Sequence, residues 1–347
     1  MITVIPPEPP TEQQTVVGRL DVKLRASRLA NITQYSCETP ITVVRRSPLT
    51  SYSYRGVIEA YAQTSMTGLV DLHLVNIVPH ETYLKGVVPS EVYPTWDMEA
   101  LKAQAVAARS YSRALLKKGR GEIDPAPGRY DVDDTIFFQA YLGARYENPR
   151  TSQAVDETEA LVLTYNHEVI NAYFSYDAGG FTETSGNAFG TPREYCVSKP
   201  EPFPVNASNA TFWTKTATYA QLTERYRRLK LLSSDESVKG VTIDPADYSS
   251  SGRVLRLLVK VSGGRTFYRA SIDFSGDAGL KSRMYKVKYS GSTMTFTGRG
   301  WGHGAGMSQL GAKILTGPGF LWDFRSVLEF YYEGAILERE SNIPYYL

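Results

Sequence analysis

The 347-residue chain contains few cysteines and histidines, which limits the metal and redox sites that it can build. Its two cysteines, Cys37 and Cys196, belong to no C-x-x-C pair, so the chain has neither a zinc ribbon nor a thiol redox motif of that kind. The sequence does not decide whether these two cysteines form a disulfide. The four histidines show no ligand spacing such as H-x₃-H, so a metal site would require residues from distant parts of the chain.

The sequence also lacks a strong charge imbalance and long apolar runs. Lys and Arg number 38 and Asp and Glu 36, and a net charge of +2 provides no general attraction to nucleic acid. No apolar run reaches the roughly 18 residues that a membrane-spanning helix needs. The opening MITVIPPEPPTEQQ lacks the basic region and apolar core of a signal peptide. We expect residues 1–16 to form an extended, proline-rich lead-in.

Many short segments alternate apolar and polar residues, as in PITVVRR and LVDLHLVNIV, and these predict strands. The strongest helix is predicted over residues 97–118, with Asp97 as N-cap and Trp96 packing on Leu101. The proline- and asparagine-rich stretch 199–217 is expected to be irregular. Because strands and helices do not alternate regularly, the sequence predicts an α+β fold. It would have strand-rich mixed sheets, one long central helix and a few shorter helices.

We expect a single domain to follow the lead-in and to run from residue 17 to residue 347. Its expected parts are a β-rich N-terminal part (17–85), a loop and helix (86–118), a β-rich insertion (about 200–290) and a glycine-rich motif (298–312).

The glycine-rich motif reads GRGWGHGAGMSQLGA and allows three interpretations: a phosphate loop, a linker or a tightly packed wall. A dinucleotide site needs a following helix, a second parallel strand and an acidic residue about twenty positions later, at the end of that strand. Only 35 residues follow Ala312, and Glu329 lies in VLEFYYEG, which indicates a helix rather than the end of a strand. Linkers are polar, whereas this segment contains Trp301, His303 and Met307. Glycine at alternate positions indicates that another strand or a ligand approaches the backbone closely. A lone histidine such as His303 is usually structural.

Glu91 lies in GVVPSEVYPTW, between Pro89 and Pro94 and just before the predicted long helix. The two prolines place it on a stiff loop between a strand and that helix. Its apolar and aromatic neighbours could raise the pKa of the carboxyl and suit it to general acid catalysis. On residue chemistry alone, an ordinary solvated carboxylate is the simpler interpretation.

The stretch VNIVPHETYLKGVVPSEVYPTWDMEALKAQAVAARSYS resembles the signature of the SpoIID/LytB family of bacterial cell-wall proteins, which includes lytic transglycosylases and amidase enhancers. The later stretches YDVDDTIFFQAYLG, AVDETEALVLTYNHEVINAYF, GRGWGHGAGMSQLGA and YYEGAIL fit the same family in order. The resemblance runs from about residue 17 to the end of the chain. It implies cleavage of peptidoglycan glycan strands between N-acetylmuramic acid and N-acetylglucosamine.

The resemblance also assigns roles to residues. The glutamate of the P-S-E motif, here Glu91, would be the catalytic acid and base. We expect substrate-binding roles at Lys102, Gln104 and Arg109 on the helix, at Thr182 and Glu183 after the glycine pair, and at His303, Ser308 and Gln309, which would line or buttress the groove that holds Glu91.

The family's catalytic glutamate and its polar helix residues are all present, as Glu91, Lys102, Gln104 and Arg109. Their presence favours an enzyme over a wall-bound amidase enhancer that binds glycan without cleaving it. Expected partners are glycan strands, sometimes stripped of stem peptides, and a cell-wall amidase or a membrane-anchored wall-remodelling protein. The substrate implies an envelope, periplasmic or exported location.

The chain departs from the family pattern in three places. Some relatives bind zinc through a Cys/His cluster in the stretch matching Asp131–Tyr141, which here reads DVDDTIFFQAY. Because that stretch contains no Cys or His, we expect no zinc and no other cofactor. Tyr176-Asp177-Ala178 replaces the small polar residues that relatives tend to have before the glycine pair, and Tyr195-Cys196-Val197 follows the pattern loosely.

Overall fold

The computed structural model divides the chain into two compact units. The first unit is Met1–Asn171 together with Leu337–Leu347, and the second is Ala172–Ile336. The structure describes residues 2–5, 16–18, 41–46, 49–64, 70–117, 139–204 and 211–343. Helices and mostly antiparallel strands occur in both units, which confirms the predicted α+β class. The expected single domain from residue 17, with its four parts, stays a prediction.

The first unit contains three helices and three small sheets among its described residues. The strands are β1 (Ile2–Ile5), β2 (Val16–Gly18), β3 (Ile41–Arg46), β4 (Leu49–Tyr54), β5 (Val57–Thr64), β6 (Val70–Ile77), β7 (Leu161–Tyr165), β8 (Glu168–Val169) and β17 (Ile336–Arg339). The helices are α1 (His80–Glu91), α2 (Met98–Lys117) and α3 (Pro149–Glu157). The sheet orders are β2-β1-β3-β4, β5-β6 and β17-β7-β8.

The proline-rich lead-in, expected to be extended, begins with a strand that pairs in a sheet. β1 pairs antiparallel with β2 on one side and with β3 on the other. The β-branched residues of ITVI favour such pairing. Residues 6–15 lie outside the described part of the chain.

The long helix expected over residues 97–118 is α2, which begins at Met98 and ends at Lys117. Asp97 precedes it as expected, and the Asp97 carbonyl accepts a hydrogen bond from the Leu101 N–H at 3.1 Å. Every residue from Ala103 to Ser110 is buried, so the middle of α2 is covered on all sides. Its small side chains allow neighbouring elements to approach closely.

The stiff loop predicted around Glu91 is wrong, because residues 80–91 form helix α1 and Glu91 is its last residue. Tyr83, Leu84, Val87 and Val88 recur at helical spacing and are buried, and this packing outweighs the proline signal. Pro89 lies in the last turn, where its missing N–H removes only one bond of the helix. The helix closes with a bond from the Val92 N–H to the Val88 carbonyl at 3.0 Å.

The second unit is built around two three-stranded antiparallel sheets and one short parallel pair. Its strands are β9 (Phe174–Ser175), β10 (Phe212–Thr218), β11 (Val238–Thr242), β12 (Arg256–Val261), β13 (Thr266–Ala270), β14 (Tyr285–Ser290), β15 (Thr293–Arg299) and β16 (Met307–Ser308). Its helices are α4 (Ser185–Phe189), α5 (Tyr219–Arg228), α6 (Ser271–Ala278), α7 (Gln309–Thr316) and α8 (Phe324–Tyr331). The orders are β10-β15-β14, β11-β12-β13 and β16-β9.

Strand β10 corrects the prediction that residues 199–217 are irregular. It pairs with β15 from Phe212 to Thr218, and its buried side chains Trp213 and Ala217 join the core of the second unit. The prolines and asparagines that suggested irregular backbone all precede this strand. Residues 205–210 lie outside the described part of the chain.

The glycine-rich motif is tightly packed where it crosses the second unit. After β15 the chain makes isolated pairings at Trp301, Gly302 and Ala305 and then enters β16 beside β9. At Gly306 the backbone has φ +69°, and a Cβ there would overlap the carbonyl oxygen of Tyr173. The contacts therefore favour the tight wall among the three interpretations, because other backbone segments approach the glycines directly.

Replacing Gly306 with alanine should destabilise the second unit by roughly 2–5 kcal/mol, since left-handed strain and steric overlap add. Gly319→Ala is the matched control, because Gly319 also has positive φ but nothing lies within 4 Å of its Cβ position. Strain alone should cost the control about 1 kcal/mol. Urea unfolding followed by tryptophan fluorescence measures both, and equal losses in the two variants would contradict the close packing at Gly306.

Candidate functional site

Glu91 is the last residue of α1, is half-buried, and has its carboxyl bound by a backbone N–H. The Glu91 Oε1 atom accepts a hydrogen bond from the backbone N–H of Ala140 at 2.7 Å. The following residues Val92 and Trp96 are buried and fix the chain after the helix, whereas Tyr93 between them is exposed. The fold therefore positions the carboxyl of a residue that is not fully buried.

Residues 139–141 hold the Ala140 N–H in place, although no sequence motif marks them as part of the site. The Gln139 side chain donates to the Ala108 carbonyl on α2 at 3.0 Å and accepts from the Tyr83 hydroxyl on α1 at 3.2 Å. The Tyr141 ring packs against α1 at Gly86, where a Cβ would lie 2.6 Å from Tyr141 Cε2. With both neighbours anchored, Ala140 presents its N–H to Glu91. The sequence signal that could have pointed to these residues is FFQAY, which lies within the family-like stretch YDVDDTIFFQAYLG.

Lys102 lies near the start of α2 and binds two carboxylates. Its ammonium contacts Glu99 Oε1 at 2.9 Å and Glu157 Oε2 at 2.8 Å. The hydrogen bond with Glu157 is the largest of the effects that raise the pKa of Lys102, so this side chain is a cation near neutral pH. Its role in substrate binding stays a prediction.

Arg109 is fully buried and connects the helices of the first unit. Its guanidinium forms two hydrogen bonds to the Glu81 carboxylate on α1, at 2.8 and 2.7 Å. It also donates to the carbonyls of Val155 and Leu161, each at 3.2 Å. These bonds fit a supporting role for Arg109 better than direct contact with substrate. Gln104, another predicted substrate-binding residue of α2, is buried as well.

His80 begins α1, and its Nε2 lies 2.7 Å from the Ser112 hydroxyl oxygen on α2. Burial lowers the pKa of His80 to about 3, and the positive charges of Arg113 and Arg109 act in the same direction. Because the folded-state pKa lies below that of an unfolded histidine, the unfolded chain binds the extra proton first as pH falls. The stability that neutral His80 contributes is thus present above pH 6.5 and is lost as the pH falls toward 3.

We expect His80 to steepen acid destabilisation of the first unit by up to roughly 1.4 kcal/mol per pH unit between about pH 6 and 4. His80→Gln removes the titrating group and should flatten that dependence, whatever its stability at pH 7. Urea unfolding of both proteins across this pH range gives the two slopes. If the free energy of unfolding has the same pH dependence in both proteins, His80 does not contribute to acid destabilisation and the prediction is wrong.

In the second unit, Thr182 and Glu183 are buried and their side chains bond to the surrounding chain. Glu183 accepts hydrogen bonds from the hydroxyls of Ser249 and Ser251 and from the side-chain amide of Asn187. Burial raises the pKa of Glu183, but these bonds outweigh it and hold the pKa below its usual range. The Thr182 hydroxyl donates to the Val197 carbonyl at 2.8 Å. Both residues have the internal contacts of a structural support.

His303, Ser308 and Gln309 lie along the glycine-rich motif. The His303 Nδ1 accepts from the Ala305 N–H at 3.0 Å, and burial lowers the pKa of His303 to about 4. Ser308 is the N-cap of α7 and accepts from the Gly311 N–H at 3.1 Å. Gln309 is the first residue of α7 and is buried. Their common groove with Glu91, which belongs to the other unit, stays a prediction.

Among the described residues, no group of three or more His, Cys, Asp or Glu side chains is arranged to hold a metal ion. Residues 131–138 of the stretch that matches the zinc site of some relatives lie outside them, as does Cys37. Cys196 is a buried free thiol, and burial raises its pKa to about 11. Of the helices in the described ranges, none has the length and apolar character needed to cross a membrane.

Comparison with known proteins finds the same family across most of the chain. The model of the stage II sporulation protein family (SpoIID) matches residues 70–165, which contain α1, α2 and Glu91. Stage II sporulation protein D of Bacillus subtilis (strain 168) is 31% identical over 291 residues, covering 79% of this chain and 78% of the relative. An uncharacterized protein of Brachyspira hyodysenteriae is 33% identical over 262 residues, covering 76% and 67%. The amidase enhancer of Bacillus subtilis is 32% identical over 300 residues, and the match covers 73% of this chain and 40% of that relative.

Proposed function

The chain belongs to the SpoIID family, and we propose that it is a peptidoglycan lytic transglycosylase that uses Glu91 as general acid and then general base. The proposed reaction cleaves the bond between N-acetylmuramic acid and N-acetylglucosamine. The observation that supports it most strongly is the position of Glu91, a half-buried residue at the end of a packed helix, whose carboxyl accepts the Ala140 N–H at 2.7 Å. A fixed and partly accessible carboxyl is what proton transfer to a glycosidic oxygen requires.

The proposed chemistry balances with a single carboxyl. Protonated Glu91 donates its proton to the glycosidic oxygen while the bond from muramic acid C1 to that oxygen breaks through an oxocarbenium-like state. The C6 hydroxyl of the same muramic acid then attacks C1, and its proton returns to the Glu91 carboxylate. The products are a 1,6-anhydro-muramyl end and a free hydroxyl on the departing N-acetylglucosamine. Since no water enters, the second carboxylate of an ordinary glycoside hydrolase is not needed.

Supporting residues would preserve the position of Glu91 through α1 and α2. Arg109 clamps Glu81 and the end of α3, and Gln139 joins α1 to α2 beside Ala140. We propose that Lys102 contacts the glycan, because it lies near the start of α2 and its side chain is not fully buried. The acid–base route requires no metal, in keeping with the absence of Cys and His from residues 131–141.

Incubation of the purified chain with glycan strands that lack stem peptides tests the proposal. Mass analysis should detect new 1,6-anhydro-muramyl ends that increase with time. Strands that bind the protein and keep their length would contradict cleavage.

A second candidate is a glycan-binding protein that stimulates a cell-wall amidase without cutting the strands, and it is supported by the relative named amidase enhancer. The two candidates differ in a mixed assay with a purified wall amidase. An enhancer raises the release of stem peptides and produces no anhydro ends, and its effect survives the replacement of Glu91 by glutamine. Either function places the protein in the cell envelope or outside the cell, with glycan strands as ligand and a wall amidase or a membrane-anchored wall-remodelling protein as partner.

A further inference from the structure

Trp301 is the only exposed residue of the glycine-rich motif, residues 298–312. Its backbone is fixed on both sides, because its N–H donates to the Asp177 carbonyl at 2.9 Å and its carbonyl accepts the Asp177 N–H at 3.1 Å. The flanking Gly300 and Gly302 pack against Gly179 and Ser175. A rigid backbone thus presents a large aromatic ring to solvent, an arrangement that lowers the entropy cost of binding a ligand there.

Two side chains complete the surroundings of this ring. The Lys281 ammonium lies 4.3 Å from the centre of the Trp301 ring, and the Tyr176 ring meets it edge to face with centres 5.6 Å apart. The Lys281 carbonyl also accepts the Gly302 N–H at 2.8 Å, which fixes its backbone to the motif. The Trp301 side chain remains 48% exposed with both neighbours in place. The surface therefore combines an accessible aromatic platform with a cation.

The charge of Lys281 distinguishes this surface from another exposed ring of the second unit. Within the described ranges, Lys281 forms no ion pair. A second exposed ring of this unit differs in this respect: Tyr268 also has a cation 4.3 Å from its ring centre, but that cation, Arg256, is bound to Asp247 at 2.6 Å. Of these two surfaces, the one at Trp301 combines an exposed ring with a cation that has no carboxylate partner among the described residues.

We propose that Trp301, Tyr176 and Lys281 form a sugar-binding surface that takes an N-acetylmuramyl residue whose lactyl carboxyl carries no peptide. This rests on the proposed function for its choice of glycan as ligand. The C–H groups on one face of a pyranose form an apolar surface, and such a surface can pack against an exposed aromatic ring. The free lactyl carboxylate is the one anionic group of a peptide-stripped strand, and it meets the ammonium of Lys281. A glycan strand repeats the same disaccharide along its length, so any of its N-acetylmuramyl residues can occupy this surface. The second unit can therefore bind a glycan strand through this surface alone.

The test measures binding of the full chain carrying Glu91→Gln, so that strands stay intact, to peptide-free glycan strands and to chitin oligosaccharides, which lack the carboxylate. Adding Trp301→Ala should weaken binding of both ligands by roughly tenfold or more, the loss typical of removing one stacked aromatic ring. Trp301→Phe should retain part of the affinity. Lys281→Gln should weaken binding of the glycan strands and leave chitin binding unchanged. Tyr268→Ala, with 56% exposure at the same unit, is the matched control and should bind like its parent.

The inference is overturned if Trp301→Ala binds both ligands like its parent, if Tyr268→Ala loses as much, or if the parent binds neither ligand. Equal loss of both ligands in Lys281→Gln would overturn the assignment of the carboxylate. Different results would contradict the proposed function. A chain that binds through Trp301 and never produces anhydro ends contradicts cleavage only, and a chain that cleaves while Trp301→Ala binds normally contradicts this inference only.

Discussion

Glu91→Gln should reduce the formation of 1,6-anhydro-muramyl ends by roughly 10²–10⁴-fold, because glutamine keeps the shape of the side chain and cannot donate the proton that the leaving oxygen needs. The amide oxygen can still accept the Ala140 N–H, so α1 and its contacts should persist. Affinity for the glycan strand should change little. Initial rates from mass analysis of the released ends, together with strand binding by the same protein, measure the two effects.

Glu159→Gln is the matched control for this loss of charge. Glu159 is exposed and lies in the same unit, so its replacement should leave both rate and stability near those of the parent. If Glu91→Gln cleaves as fast as the Glu159 variant, the acid is another residue. If the Glu91→Gln protein cleaves more slowly and its unfolding midpoint also falls enough to explain the loss, Glu91 has a structural role and not a catalytic one.

Arg109→Met should destabilise the first unit by about 3–5 kcal/mol, since it leaves the Glu81 carboxylate without its two charge-assisted bonds and removes the donors to the Val155 and Leu161 carbonyls. Methionine fills much of the same volume, so the loss reflects charge and hydrogen bonding more than an empty space. Urea unfolding at neutral pH measures the loss. Adding Glu81→Gln should recover part of it, because the uncompensated charge is then gone.

Arg113→Met is the matched control on the same helix. Arg113 pairs with Glu340 at 2.7 Å but keeps about a quarter of its side chain exposed, so we expect a loss near 1 kcal/mol. An Arg109→Met protein that is as stable as its parent and binds glycan strands poorly would contradict the supporting role. It would restore the direct substrate contact that the family resemblance implied.

The sequence predicted regular elements wherever local pattern and tertiary packing agree. α2 begins one residue after its expected cap. The segment KYSGSTMTF indicates a hairpin around Ser290–Ser292, and β14 and β15 do turn between Ser290 and Thr293. The β7–β8 hairpin turns at Asn166 and His167, both with positive φ. In each case, the turn or cap residues and the apolar periodicity point to the same structure.

The sequence failed where packing between distant segments overrides a local signal. Pro89 suggested a loop, yet the buried face of α1 makes a helix that ends at Glu91. The burial of Arg109 could not be predicted from its own helix, because contacts with α1 and α3 enclose it. The Ala140 N–H could not be predicted to reach Glu91, because a backbone group carries no residue-specific signal and 49 residues separate the two.

The origin of the oxygen in the cleaved product tests the central claim most directly. Peptide-free glycan strands are digested by the wild-type chain in water enriched in heavy oxygen, and the new muramyl ends are analysed by mass. The account predicts ends lighter by one water than hydrolytic ends and without label, because the C6 hydroxyl of the sugar is the nucleophile. Reducing ends that carry heavy oxygen would show hydrolysis and contradict the account, as would the absence of any new ends.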